Sequence, residues 1–203
     1  TGDGTTSVIY VNTGSTLTLN GPGTITGGDA ADNTYARGGG IYVAGTFNMN
    51  GGTITENTAR EGGGVYVGGN GTFTMNGGEI LSNHSVYRVV GTSGSSGSGG
   101  GVYVASGGKF NLISGTISGN GSSYGGGVFT RSGGTLTMKG GSISGNTAGI
   151  LGGGVASPGA LIMEGGEISG NTSKANGGGI LIDSSGTITM SGGKISDNTA
   201  QWN

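Results

Sequence analysis

Residues 125–146 read GGGVFTRSGGTLTMKGGSISGN. The text holds three short stretches, Val128-Phe129-Thr130, Thr135-Leu136-Thr137-Met138 and Ser142-Ile143-Ser144, each bounded by glycine, serine or asparagine. Each alternates with period two, the pattern of a strand with one buried face, and the spacing excludes helices. The same text recurs in both directions along the chain, so the stretch is one unit of a repeat.

Segment A of the unit returns as Ile9-Tyr10-Val11, Ile41-Tyr42-Val43, Val65-Tyr66-Val67, Val102-Tyr103-Val104, Val155-Ala156-Ser157 and Ile180-Leu181-Ile182. Segment B begins at Thr16, Thr46, Thr72, Lys109, Thr135, Ala160 and Thr187; segment C centres on Ile25, Ile54, Ile80, Ile117, Ile143, Ile168 and Ile195. The period is about 26 residues, with one long excursion. In segment B the inward pairs are Leu17/Leu19, Phe47/Met49, Phe73/Met75, Phe110/Leu112, Leu136/Met138, Leu161/Met163 and Ile188/Met190. Stacking equivalent strands in parallel gives three sheets around one apolar column, each coil advancing about 4.8 Å. A single coil buries too little to offset the cost of ordering it, so coils must stabilise one another. The expected fold is an all-β parallel β-helix, a solenoid of about seven coils with three short strands per coil, forming one domain over residues 1–203.

Asn57, Asn83, Asn120, Asn146, Asn171 and Asn198 each follow the central Ile of segment C by three residues. A primary amide has two donors and two acceptor lone pairs, so stacked copies can bond one another and still satisfy turn backbone groups. These six are expected to form a structural ladder.

Composition fits this reading. The 54 glycines of 203 residues are about four times the usual share of roughly 7%, a level at which disorder is the default expectation. Against it stand only two prolines, a net charge of −2 and the regular placing of apolar residues. No cysteine is present, so packing and backbone hydrogen bonds must hold the chain together. Eight basic and ten acidic residues without a Lys/Arg cluster give no electrostatic footprint for nucleic acid. There is no apolar run near the roughly 20 residues that span a bilayer and no basic-then-apolar leader, so membrane insertion is not expected.

With Gly-Gly-Gly-(Val/Ile) paired to Ile-x-x-Asn, the chain resembles right-handed parallel β-helix proteins of the pectate-lyase-like type, which also stack asparagines at a tight turn. The paired motif is similar to the Gly-Gly-Ala-Ile and Phe-x-x-Asn repeats of bacterial polymorphic outer-membrane proteins, which are adhesins, although Gly replaces Ala and Ile replaces Phe here. Very glycine-rich versions are similar to repeats of large surface proteins of anaerobic gut and oral bacteria. The resemblance covers nearly the whole chain. It implies a right-handed coil, a secreted or cell-surface location, and a partner that is a glycan or protein of a host or neighbouring cell.

Two insertions, residues 27–37 and 84–98, break the period between segment C and the next segment A. The second holds His84, Tyr87 and Arg88 and then a Gly/Ser tract. Functional residues gather on loops carried by rigid scaffolds, so this side of the rod is where a partner is expected, with Asp29, Asp32, Arg37, Arg60, Glu61 and Arg88 as a polar patch. The text closes at Asn198-Thr199-Ala200, where another glycine triplet would follow; it reads as a piece of a longer array or a unit that stacks end to end, with Trp202 as cap material.

The middle residue of segment A points away from the core, which aligns Tyr10, Tyr42, Tyr66, Tyr103 and Phe129 in an aromatic stripe. Two readings stand: the stripe binds apolar sugar faces or protein anchors, with Tyr42, Tyr66, Tyr103, Phe129, His84, Tyr87 and Arg88 as ligand-binding residues, or it only joins adjacent coils. On segment B the outward Thr16/Thr18, Thr46, Thr72/Thr74, Thr135/Thr137 and Thr187/Thr189 form a grid like that of ice-binding solenoids, interrupted at Lys109 and Ala160/Ile162. Threonine also simply favours strands. A polysaccharide-active enzyme needs clustered carboxylates with a basic residue, whereas the acidic residues here are spread along the rod. Glu164, one coil after Lys139, reads as half of a cross-coil ion pair. The expectation is a non-enzymatic protein with no catalytic set, no metal site and no cofactor.

Overall fold

A computed structural model describes residues 7–30, 36–86 and 96–201. The seven segment A strands form one parallel sheet in chain order, from Ile9–Val11 to Ile180–Ile182. Equivalent residues pair in register, as in Tyr42↔Tyr66↔Tyr103↔Phe129↔Ala156↔Leu181. Segments B and C lie in one 12-stranded parallel sheet rather than in two separate ones. In the first two coils they run on as single strands, Thr16–Ile25 and Thr46–Thr55, and from the third coil they are separate strands on either side of a glycine bend, as at Gly78 with φ +86°.

Each coil from the second onward carries a fourth strand that the three-segment reading lacks. It follows the ladder asparagine, as in Thr58–Ala59, Thr147–Leu151 and Thr199–Ala200, and six such strands make a third sheet. His84–Ser85 is one of them and Val86 bonds the Ala59 carbonyl, so residues 84–86 belong to the coil, as does Ser98, which bridges Glu61 and Tyr124.

One apolar column fills the interior. The rows Ile41-Val65-Val102-Val128-Val155, Phe47-Phe73-Phe110-Leu136-Leu161 and Ile54-Ile80-Ile117-Ile143-Ile168 are fully buried in a single cluster. Phe47, Phe73 and Phe110 stack with centroids 4.7 and 4.6 Å apart, close to the strand spacing. In the seventh coil the same positions, Ile188, Met190 and Ile195, are exposed, because a coil's interior is covered by its neighbours. The Thr130 and Ser157 hydroxyls point into this core without a hydrogen-bond partner among the described residues.

The asparagines form a continuous ladder. Nδ2 of Asn57, Asn83, Asn120, Asn146 and Asn171 donates to Oδ1 of the next at 2.9–3.1 Å, ending on Asn198. The backbone N–H of each donates to the same oxygen. Asn146 Nδ2 also reaches the Ile117 and Ser144 carbonyls at 2.9 and 3.2 Å, so the corner's buried polar groups are met. The glycine triplet packs on this ladder: a Cβ on Gly127 would lie 2.8 Å from the Gly154 carbonyl oxygen and 3.0 Å from Asn146 Nδ2. The corner therefore admits no side chain there.

Candidate functional site

The outward row of segment A stacks as five rings. Successive centroids from Tyr10 through Tyr42, Tyr66 and Tyr103 to Phe129 lie 4.6, 4.9, 5.1 and 5.1 Å apart, with interplanar angles of 9–26°. The ring faces are therefore occupied by one another. Tyr66 and Tyr103 are 5% and 3% exposed and form a second small core with Ala105. This corrects the binding reading of the stripe: its central rings do not offer faces to a sugar, because each face already meets the ring above or below.

The first insertion contributes to this cover. Arg37 pairs with Glu61 (Nε to Oε2, 3.0 Å) and sets its guanidinium 5.2 Å from the Tyr66 centroid, a cation–π contact. The Arg37 cation also lies near the Tyr42 phenol and the Arg131 cation near the Tyr103 phenol, each favouring the phenolate. Burial pushes all three phenols above their ordinary value of about 10, with the arginines pulling the other way. Of the expected polar patch, Arg37 and Glu61 are thus brought together as parts of the aromatic spine. Asp32 and Arg88 lie outside the described residues.

The row ends at Phe129. The sixth coil carries Ala156 where a ring would stand; Ala156 is itself buried, and a cavity of about 280 Å³ lies beside it, bounded by Phe129, Leu181, Tyr124, Leu151, Pro158 and Asp183. Sequence reading did not find this cavity, although its signal, an Ala after five aromatics in one register, is plain in the repeat.

His84 stands on a different sheet. With Ser122, Thr147 and Lys174 it lines a second cavity of about 360 Å³ beside the second insertion. A Cβ on Gly121 would lie 2.9 Å from the imidazole Nδ1, so glycine makes room for the ring. His84 and the tyrosine row are therefore two sites. Tyr87 and Arg88, grouped with them from the sequence, lie outside the described residues.

The threonine face is aligned as expected: Thr16, Thr46, Thr72, Lys109, Thr135, Ala160 and Thr187 share one register, and Thr18, Asn48, Thr74, Asn111, Thr137, Ile162 and Thr189 the next. Complete Thr-x-Thr ranks occur only in alternate coils, so no two lie at the single-coil spacing. Beside them runs an exposed amide row that sequence reading did not identify, with Asn50 donating to Asn20 at 2.8 Å and Asn76 to Asn50 at 2.9 Å. Two coils on, the Lys139–Glu164 pair forms at 3.8 Å, and Lys194 pairs with Glu167 at 3.5 Å. All these groups are well exposed, so each pair contributes at most about 1 kcal/mol.

Parallel in-register sheets wound on one apolar column, with a buried amide ladder at a corner, define a β-solenoid. The sequence matches the family described as "Right handed beta helix region" over residues 39–201, and the chain belongs to that family. It has no match among curated proteins or solved structures.

Proposed function

We propose that this β-helix is a rigid, non-enzymatic part of an extracellular bacterial surface protein, an adhesin or scaffold that holds a glycan or protein of a host or neighbouring cell against its flank. The observation that supports the reading is the distribution of chemistry around the coil. Core, amide ladder and aromatic spine join coil to coil, while the two cavities lie on the flank formed by the segment A sheet and the short strands before it. Functional groups carried on loops and hollows of a stiff scaffold suit recognition. Repeats resembling those of bacterial adhesins point the same way. The threonine face favours no ice-binding reading, because a lattice-matched array needs its ranks on neighbouring coils.

Beads coated with the 203-residue chain test this directly. Saturable attachment to epithelial or bacterial cells, or to a glycan array, is the expected result. Failure to attach to any of these, or release of reducing ends or unsaturated products from polysaccharides, would overturn it.

A further inference from the structure

We propose that Asn70 is an acceptor for N-linked sugar, the one of four acceptor triplets that the fold leaves open. The inference takes from the proposed function only the extracellular location and goes beyond it.

The sequence holds four Asn-x-Ser/Thr triplets, none with proline at the centre: Asn70-Gly71-Thr72, Asn83-His84-Ser85, Asn120-Gly121-Ser122 and Asn171-Thr172-Ser173. In a secreted protein such a triplet is the acceptor for N-glycosylation, and it is used where it lies on the surface. The fold divides the four. Asn83, Asn120 and Asn171 are rungs of the internal ladder and at most 1% exposed. Each spends its Nδ2 hydrogens on the next rung and on a carbonyl of the preceding coil, so a sugar on that nitrogen would break the ladder. Asn70 is exposed.

Local geometry accounts for the difference. Asn70 lies in the turn between segments A and B of the third coil, which the Gly71 N–H closes on the Gly68 carbonyl at 2.8 Å. Four residues, 68–71, span this corner, whereas the coil before it uses only Ala44 and Gly45. Since Val67 pairs with Val43 and Thr72 with Thr46, Gly69 and Asn70 have no counterpart in that neighbour, and both are exposed. Gly71 packs the other way: a Cβ there would lie 2.2 Å from the Val43 carbonyl oxygen, so the middle residue roots the turn and sets no side chain beside the acceptor. Thr72 is half-buried and opens the strand Thr72–Met75 on its outward face. Amide and hydroxyl are thus both presented at the corner between the aromatic row and the threonine face. The transfer uses a sugar activated at C1 by a diphosphate. Asn70 Nδ2 bonds C1, the C1–O bond breaks with its electron pair on the leaving diphosphate, and Nδ2 gives up one proton.

Peptide mass spectrometry tests the site on two samples: protein recovered from the cells that make it, and the folded 203-residue chain treated with UDP-glucose and a transferase chosen for modifying isolated peptides around all four triplets. Both samples should carry sugar on Asn70 and none on Asn83, Asn120 or Asn171. Asn70→Gln and Thr72→Val should each abolish the modification with the melting temperature unchanged. Bare Asn70 in the protein from its own cells, refusal of the folded chain by a transferase that accepts the peptide, or sugar on any ladder asparagine of the folded chain would overturn the proposal. The two readings fail separately. Cell attachment with Asn70 bare removes the acceptor alone; a glycosylated Asn70 on a chain that attaches to no cell or glycan removes the adhesive role alone.

Discussion

Asn146 shows how much one residue carries in a solenoid. Its amide donates to three acceptors and its Oδ1 accepts both the backbone and side-chain N–H of Asn120. Truncation leaves several of these groups buried and unpaired, at about 1–3 kcal/mol each before relaxation. Asn146→Ala is therefore expected to destabilise the rod by about 3 kcal/mol, read as an earlier denaturant midpoint; an unchanged midpoint would refute the ladder's role. The ladder was legible because Ile-x-x-Asn keeps its spacing in six coils. The residue before each asparagine was not. Glu56, Ser82 and Asp197 adopt φ of 55–57° where Gly119, Gly145 and Gly170 adopt 62–63°, so one backbone need is served by unlike residues and sequence alone hides it. A Cβ on Gly145 meets nothing within 4 Å, so Gly145→Ala isolates the left-handed conformation and should cost about 1 kcal/mol in the same assay. Glu56→Gly should move the midpoint the other way.

At the scale of the element, the segment A sheet was read correctly in register and incompletely in burial. Alternation tells which residues leave the core, but not what covers them once outside. Tyr66 is covered by its stacked neighbours and by Arg37, which comes from the turn that ends the first insertion and is fixed by Glu61 one coil on. No local pattern encodes that convergence. The fourth strand escaped notice for a different reason: two residues such as Thr58–Ala59 are too short to show a period. The buried phenols give the spine a pH signature. Their folded pKa values lie above the unfolded value of about 10, so the spine's full stability is present below pH 10. As pH rises past 10 the unfolded chain ionises first, protons are released on unfolding, and stability falls. Thermal melts between pH 8 and 11 should show this fall, and Tyr66→Phe, which keeps the ring stack and removes the phenol, should show a smaller one. Parallel curves for the two proteins would exclude the phenol as a cause.

At the scale of the whole molecule, each coil touches only its neighbours, and stability is a sum of coil terms and interface terms. That additivity holds only if the coils are interchangeable in register, and the chain allows the condition to be tested by removing one. Deleting residues 128–154 joins Gly127 to Val155 at equivalent points of two coils. Val102 then faces Val155, Asn120 faces Asn171, and Phe110 faces Leu161 in place of Leu136, so every inward row and the ladder continue unbroken. The shortened chain is expected to keep its β-sheet circular dichroism and to melt cooperatively at a somewhat lower temperature. Deleting only residues 128–140 removes segments A and B of one coil and keeps segment C, so the chain between the fourth and sixth coils no longer matches its neighbours and the stacked rows are thrown out of register at that junction. A one-residue slip already turns a strand's buried side chains to solvent, so this deletion should abolish the cooperative melt. Equal stability of the two deletions would mean that something other than the stacked rows holds the rod together.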